Sequence, residues 1–205
     1  MVRKTKADTE QTRSQILAAA RQVFAERGVS RTTLEQIAKQ AGVTRGAIYW
    51  HFRDKPELFF AMREQASLPL IDRVDEVLPD AELQDPLKSI QTSMLAIIKI
   101  LETDAMTRTT LEIVSFKCEY VDEFKLVNKQ AMKAACNFKD KISAAYKRAH
   151  RKGHLRAGIS DSMAALESFT FMKGLIQLWL ADTEGDFIRK KAAALIRAHI
   201  AARRK

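Results

Sequence analysis

The side chains with the clearest chemical potential in this chain lie close together, between Thr44 and His51. A short helix over this segment would turn Ala47, Ile48 and Phe52 towards a core. It would leave four residues facing outward: Arg45, Gly46, Tyr49 and Trp50. Two exposed aromatic rings beside an arginine are unfavourable on a surface that has no partner. We therefore predict that this outward face binds another molecule.

A second short helix precedes this segment. Its apolar residues recur at the i, i+3, i+4 and i+7 positions of one helix face: Leu34, Ile37, Ala38 and Ala41. Two pairs of residues could begin the helix with a capping box, Thr32 with Glu35 or Thr33 with Gln36. The sequence alone leaves the choice between these two pairs open.

A glycine turn joins the two helices. Gly42 enters the left-handed backbone region without steric cost, so it ends the first helix and reverses the chain. Val43 then returns to the core and Thr44 caps the second helix. Two short helices separated by a glycine turn within residues 33–52 are typical of a helix-turn-helix reader of DNA.

The charge of the chain agrees with a polyanionic partner. The 205 residues carry a formal net charge of +10, and residues 1–66 hold half of that surplus in one third of the length. Three cations lie before the first predicted helix: Arg3, Lys4 and Lys6. A flexible basic arm over residues 1–8 could follow phosphates or enter a minor groove, or it could be an ordinary solvated tail.

The composition predicts an all-α fold. Gly and Pro together make 11 of the 205 residues, or about 5%. In a typical globular protein they make about 12%. We predict helices at about 9–27, 85–102, 105–115, 120–151, 161–182 and 186–203, with another that begins at Asp54 and is kinked or broken at Pro69. The predicted domains are a three-helix DNA-binding domain at 1–53 and a larger C-terminal ligand-binding and dimerisation domain at 54–205.

Other classes of function lack their motifs. We find no glycine-rich phosphate loop, no Gly-x-Ser-x-Gly elbow and no Cys/His cluster with metal spacing, so we predict neither an enzyme nor a cofactor or metal site. His150 and His154 are four residues apart, but the intervening Gly153 favours a solvated loop. Cys118 and Cys136 are expected to be partly buried free thiols, with redox sensing or an interchain bond as alternatives.

Membrane insertion and secretion are not expected. No apolar run reaches the ~18 residues that span a bilayer. The N-terminus also lacks the apolar stretch of a signal peptide. We expect a cytoplasmic protein without a membrane partner.

The last two predicted helices have the composition of a partner surface. They carry small residues that permit close helix approach, and apolar anchors beside them: Ala164, Ala165, Gly174, Ala181, Ala192, Ala193, Ala194, Ala198 and Ala201, with Leu166, Leu178, Phe187, Leu195 and Ile200. Ordinary packing within the chain is the alternative. We favour a homodimer, because two-fold symmetry doubles the DNA site that a short reading helix can contact.

The segment TTLEQIAKQAGVTRGAIYWHFRDK, from Thr32 to Lys55, resembles the DNA-binding signature of the TetR family of bacterial repressors at nearly every position. The opening MVRKTK, LEIVSFKCEY from Leu111 to Tyr120, and GLIQLWL from Gly174 to Leu180 are similar to the AcrR/TtgR-like branch of that family. The resemblance covers essentially the whole chain. It implies dimeric repressors of multidrug efflux genes, released by a hydrophobic drug, antibiotic or plant phenolic.

For DNA, the resemblance implies major-groove positions for Thr44, Arg45, Gly46, Tyr49 and Trp50. Arg45 is the candidate for a bidentate contact to guanine, and Tyr49 for a phosphate or a thymine methyl. Thr33, His51 and Lys55 are expected to hold the phosphate backbone, Lys55 at a helix N-terminus that favours anions. A capped or partly packed ring is the alternative for His51.

For the inducer, the resemblance implies a cavity lined by Ser67, Met94, Ile97, Leu111, Ser115, Phe138, Phe169, Met172, Lys173 and Ile176. Apolar residues at helical spacing are also what an ordinary core contains. Leu111 and Lys173 replace polar or acidic groups of the branch. Lys173 either extends to solvent or offers a cation to an anionic or phenolic ligand.

The main expectation is therefore a ligand-responsive repressor that binds a palindromic double-stranded DNA operator as a homodimer. It would control a multidrug efflux operon of the RND type and leave the operator when a hydrophobic or phenolic inducer binds. The alternative is a constitutive or architectural DNA-binding dimer with no small-molecule ligand, which a solid C-terminal core would favour.

Overall fold

The computed structural model describes residues 6–77 and 85–205. Its α-helices are α1 (Lys6–Arg27), α2 (Leu34–Ala41), α3 (Arg45–His51), α4 (Lys55–Val77), α5 (Pro86–Thr103), α6 (Ala105–Phe116), α7 (Lys125–Arg151), α8 (Asp161–Ala181) and α9 (Ala192–Ala201). Short 3₁₀ turns, Asp122–Phe124 and Arg189–Lys191, precede α7 and α9. The only β-type pairing among these residues is one isolated bridge between Leu155 and Arg204. The predicted all-α fold is confirmed.

The chain divides into two compact units. Unit 1 runs to Ser67 and also contains residues 109–129, and unit 2 contains residues 68–108 and 130–205. The division falls within α4, α6 and α7. The predicted boundary at residue 53 marks the end of the helix-turn-helix, whereas unit 1 also holds the start of α4 and the chain from α6 into α7.

Unit 1 has one apolar core to which all its helices contribute. Phe24 of α1, Ile37 of α2, Ile48 of α3 and Phe59 of α4 are fully buried in it. The Phe24 and Phe59 rings meet edge-on with centroids 5.9 Å apart, and Phe124 meets Phe59 at 5.5 Å. Because Phe124 lies just before α7, the core around the reading helices needs chain from beyond residue 53.

Unit 2 is built around α9. Helices α5 and α8 pack against it, and the buried side chains include Leu87, Ile98, Trp179, Leu180, Ile196 and Ile200. The loop after α7 pairs with the C-terminus: Arg156 N donates to the Arg203 carbonyl at 2.9 Å, and Lys205 N donates to the His154 carbonyl at 3.0 Å.

The first helix begins earlier than predicted. It starts at Lys6 and not at Thr9, so the predicted flexible arm is wrong for residues 6–8. Asp8 in the first turn complements the positive end of the helix dipole, and its carbonyl accepts a hydrogen bond from the Thr12 hydroxyl at 2.8 Å. The other arm cations, Arg3 and Lys4, lie outside the described residues.

Of the two outcomes predicted at Pro69, a kink or a break, the break is wrong, because α4 is helical from Lys55 to Val77. A proline in a helix interior costs about 3 kcal/mol. Leu58, Phe59 and Met62 of the same helix are fully buried, and each contributes about 1.5–3 kcal/mol. These contacts anchor the first half of α4, from which the helix continues through Pro69.

The last helix begins later than predicted, at Ala192 and not near residue 186. The Asp182 carboxylate accepts hydrogen bonds from the backbone N–H groups of Gly185, Phe187, Ile188 and Arg189. These bonds, those from Arg189 and Ile188 most strongly, lower the pKa of Asp182. A loop folded around one side chain takes the place of the expected first turns.

Candidate DNA-binding surface and effector cavity

The start of α2 uses the second of the two possible capping pairs. The Thr33 hydroxyl accepts from Gln36 N at 3.2 Å, and Thr33 N donates to the Gln36 side chain at 2.9 Å. Thr32 is buried and donates its hydroxyl proton to the Gly28 carbonyl at 2.7 Å. The two neighbouring threonines therefore have different tasks, Thr33 as cap and Thr32 as part of the loop before it.

The turn between α2 and α3 has the geometry that the sequence predicts. Gly42 has a φ of +64°, and its N–H donates to the carbonyls of Ala38 and Lys39. Thr44 caps α3, since its hydroxyl accepts from Ala47 N at 3.2 Å. These local contacts give the helix-turn-helix its shape.

The outward face of α3 is exposed as predicted. Trp50 is 70% exposed and Tyr49 46% exposed, and Arg45 and Gly46 also face solvent. The Arg45 guanidinium donates to Tyr49 Oη at 3.1 Å and lies 5.4 Å from the ring centroid. This hydrogen bond and the nearby phenol raise the pKa of Arg45. The face thus presents a permanent cation supported by an aromatic ring.

A shallow groove of about 350 Å³ lies beside this face. It is lined by Ala47, Trp50 and His51 of α3 together with Thr9 and Thr12 of α1. His51 is half-buried, and its ring lies 4.7 Å from the Trp50 ring in an edge-on arrangement. The two α1 threonines carry no sequence signal for this surface, because only the packing of α1 beside α3 brings them to it.

Lys55 does not extend into solvent at the start of α4. Its ammonium group donates to the carbonyl oxygens of Val29, Ser30 and Thr32. Only 16% of its side chain is exposed. The expected phosphate contact therefore competes with partners inside unit 1.

Four of the ten predicted inducer residues line one small cavity in unit 2. They are Met94, Ile97, Phe138 and Met172, and the remaining wall is Ile90, Ser93 and Ile142. The enclosed space is about 10 Å³, which is room for about one water molecule. The cavity is therefore much smaller than a drug-sized molecule.

The other six predicted inducer residues are not among those that line this cavity. Phe169 and Ile176 are half-buried in unit 2, and the Phe169 ring lies 6.3 Å from that of Phe138. Lys173 is exposed. The remaining three, Ser67, Leu111 and Ser115, are half-buried residues of unit 1.

Comparison with known proteins decides the family. Residues 16–62 match the profile of bacterial regulatory proteins of the tetR family, and residues 85–203 match the C-terminal region of MAATS-type transcriptional repressors. The chain belongs to the TetR family. Its members are DNA-binding transcriptional regulators, and this TetR-family chain is likewise a regulator and not an enzyme.

Three relatives of this TetR-family protein are informative. The regulator TtgR of Pseudomonas putida is 38% identical over 180 residues, which are 88% of this chain and 85% of TtgR. NalD, the secondary repressor of the MexAB-OprM multidrug efflux pump of Pseudomonas aeruginosa, has a TM-score of 0.87 at 32% identity, covering 98% of this chain and 99% of NalD. SmeT of Stenotrophomonas maltophilia in complex with triclosan has a TM-score of 0.83 at 29% identity, covering 95% of this chain and 92% of SmeT.

The last two helices of this TetR-family chain expose an apolar side. Met163, Leu166 and Leu178 of α8, with Leu195 of α9 and Phe187 before it, are large and exposed. Four residues predicted for a partner surface are instead buried within unit 2: Ala164, Ala165, Ala192 and Ile200. The exposed set remains available to a partner.

Both cysteines of the chain are free. Cys118 and Cys136 are free thiols, the first half-buried and the second exposed, so the expectation of partial burial is wrong for Cys136. Burial raises the pKa of Cys118 to about 11, which keeps the thiol protonated at neutral pH.

His150 is exposed, and His154 Nδ1 lies 3.6 Å from the Asp85 carboxylate. No described helix is both long and apolar enough to cross a membrane.

Proposed function

We propose that this TetR-family protein is a repressor that binds a palindromic operator as a homodimer, controls a multidrug efflux operon and is released by a hydrophobic or phenolic small molecule. The exposed Arg45, Tyr49 and Trp50 on a capped helix carry the DNA-binding part of the proposal. The efflux part is supported by the structural similarity to NalD, which is a repressor of a multidrug efflux pump.

The DNA contacts follow from the exposed face of α3. Arg45 reads guanine through two parallel hydrogen bonds, with Tyr49 holding the guanidinium in place before the duplex arrives. Thr44, Gly46 and Trp50 complete the face in the major groove, and Thr33 and His51 hold phosphates. DNase footprinting on the region upstream of the gene tests this proposal. We expect a protected inverted repeat with two half-sites, and protection of a single half-site would contradict the dimer.

The dimer is proposed to form through the exposed apolar sides of α8 and α9. Two copies of a face that includes Leu166, Leu178 and Phe187 would remove large apolar side chains from water. Light scattering on the wild type and on Leu178→Arg tests it. We expect a dimer for the wild type and a monomer for the variant, and a monomeric wild type would refute the proposal.

The inducer is proposed to enter unit 2 at the cavity between Met94 and Met172. SmeT, a structural relative, has been crystallised with triclosan, which makes this hydrophobic phenol the first probe. By linkage, an inducer that weakens DNA binding must bind the DNA-free protein more tightly, typically by about 5 to 150-fold. Calorimetric titration with triclosan, with and without the footprinted duplex, measures this ratio, and equal affinities would rule out release by this compound.

A constitutive DNA-binding dimer is the second candidate, and the closed cavity of about 10 Å³ is the observation that favours it. The two candidates differ in the response of unit 2 to small molecules. A constitutive binder would show no thermal stabilisation by any member of a panel of hydrophobic drugs and phenols. A repressor of the proposed kind is stabilised by at least one of them.

A further inference from the structure

The ammonium group of Lys55 is enclosed by backbone oxygens. Nζ donates to the carbonyls of Val29, Ser30 and Thr32 at 3.2, 3.4 and 3.2 Å. A lysine ammonium has three N–H donors, so these three acceptors occupy all of them. The three carbonyls belong to one loop, between α1 and α2, which the lysine gathers around a single positive charge.

A carboxylate and an aromatic ring complete the site. Glu123 Oε1 lies 3.5 Å from Nζ, and the centroid of the Phe124 ring lies 5.6 Å away. Both residues belong to the segment 117–124 between α6 and α7, which we call the connector. The connector also meets the loop directly, since Val29 N donates to the Lys117 carbonyl at 2.8 Å. Lys55 therefore joins three segments of unit 1.

The loop that Lys55 holds determines where the reading helices begin. Thr32 is buried in it, and the next residue, Thr33, caps α2. The end of α2 in turn holds the start of the turn into α3, because Val43 N donates to the Ala38 carbonyl at 3.0 Å. A displacement of the loop would thus move α2 and, through it, the DNA-reading face of α3.

We propose that Lys55 is a positioning residue for DNA binding, whose ammonium fixes the α1–α2 loop against the connector and does not neutralise a phosphate. This inference rests on the proposed DNA-binding function, and it replaces the phosphate contact that the sequence suggests for this lysine. To reach a phosphate, Nζ would have to leave these three carbonyl acceptors and the nearby Glu123 carboxylate.

Hydrogen exchange of the DNA-free, full-length protein tests the inference without any duplex. In Lys55→Met we expect amides of the loop, residues 29–33, and of the connector to exchange about tenfold faster or more, because local opening becomes easier. Lys125→Met is the matched control, since it removes an exposed lysine of the same unit and should leave these amides unchanged. A phosphate ligand has no role without DNA, so unchanged exchange in Lys55→Met would overturn the inference.

Salt dependence of binding to a random-sequence duplex provides the second test. For Lys55→Met we expect affinity to fall about tenfold at every salt concentration, with the slope of the wild type and of Lys125→Met. A slope smaller by about one unit for each lysine removed would show a phosphate contact and overturn the inference.

Lys55→Arg separates the two roles even if the methionine variant folds poorly. Arginine is an excellent phosphate ligand, but its planar fork does not fit a site shaped for a compact ammonium. We expect this variant to bind DNA weakly and its loop to exchange faster, whereas wild-type binding would favour the phosphate contact. If the wild type itself shows no salt-dependent duplex binding, the proposed function fails, and the exchange result still decides the role of Lys55 in the fold.

Discussion

The α3 surface and the unit 2 cavity are opposite kinds of site. On α3, Tyr49 and Trp50 remain in water although both are large and aromatic, and Arg45 is already hydrogen-bonded to Tyr49. In unit 2, Met94 and Met172 are buried, and the cavity that they line has about 10 Å³ of space. The α3 face is exposed before any partner arrives, whereas the proposed inducer would have to open the cavity of unit 2.

This difference bears on how a repressor of the proposed kind would work. A preformed reading face loses little conformational entropy on binding, so most of its contact energy appears as affinity. A closed cavity lowers the apparent affinity of an inducer by the fraction of molecules that are open. The methionines in its wall are unbranched and adapt readily, which suits a site that admits hydrophobic ligands of several shapes.

The largest effect is expected at the exposed face of α3. Arg45→Ala should lower affinity for the footprinted duplex by about 1–3 kcal/mol for each half-site, because a bidentate contact to guanine is lost. Binding to random duplex should change much less, so base preference flattens. Competition binding with matched and scrambled duplexes measures both quantities.

Two further variants sharpen the result for Arg45. Arg45→Lys keeps the charge but not the two parallel hydrogen bonds, so it should lose base preference and retain binding to random duplex. Arg156→Ala, which removes an exposed arginine of unit 2, should leave base preference unchanged. Full sequence preference in Arg45→Ala would show that another side chain reads the operator.

The cavity of unit 2 can be tested by enlarging it. Met172→Ala should lower the free energy of unfolding by about 2–5 kcal/mol, since a buried side chain is removed and a cavity remains. The same variant should bind a small apolar probe such as indole more tightly than the wild type, because part of the work of opening has been done. Denaturant unfolding and calorimetry measure the two effects.

The matched control for this variant is Met132→Ala, because Met132 is an exposed methionine of the same unit. Its unfolding free energy should change by less than about 0.5 kcal/mol, and its probe affinity should remain that of the wild type. A Met172→Ala variant that is destabilised but gains no probe affinity would mean that the cavity collapses, and would weaken the case for an inducer there.

The sequence predicts the two sites with unequal detail, for a physical reason. The helix-turn-helix depends on contacts between near neighbours, such as Thr44 with Ala47 and Gly42 with Ala38, which spacing reveals. The cavity depends on helices far apart in the chain, so Ile90, Ser93 and Ile142 were not predicted, whereas Met94 and Met172 were named through the family resemblance. The enclosure of Lys55 likewise joins residues 23 to 26 positions apart, with no local signal.

A smaller effect is expected from the cap of α3. Thr44→Ala leaves Ala47 N without its acceptor and should destabilise unit 1 by about 0.5–2 kcal/mol. Thr44→Ser retains a hydroxyl at the cap and should remain within a few tenths of the wild type. Unfolding of the DNA-free proteins measures this, and equal stability of all three would show that the tertiary packing of α3, and not its cap, holds the reading face in place.

A half-buried histidine in unit 2 is expected to make its stability depend on pH. His199 Nε2 lies 2.9 Å from Ser168 Oγ, which lies 2.7 Å from Tyr146 Oη, and His199 Nδ1 lies 3.3 Å from the Arg203 guanidinium. An arginine only donates, so Nδ1 must be an acceptor and the ring neutral. Burial first, and then the Arg203 charge, lower the pKa of His199 to about 4.

Acidification should therefore weaken unit 2 through this ring. An unfolded histidine takes up a proton near pH 6.5, so between pH 6.5 and 4 the unfolded chain binds more protons, and the free energy of unfolding falls as pH falls. His199→Gln lacks this contribution, whereas the loss through Asp182 at lower pH is common to both proteins. We expect the wild type to lose more stability than His199→Gln between pH 7 and 4.5. Parallel losses would mean that the folded ring already accepts a proton, which requires Arg203 to turn away from Nδ1.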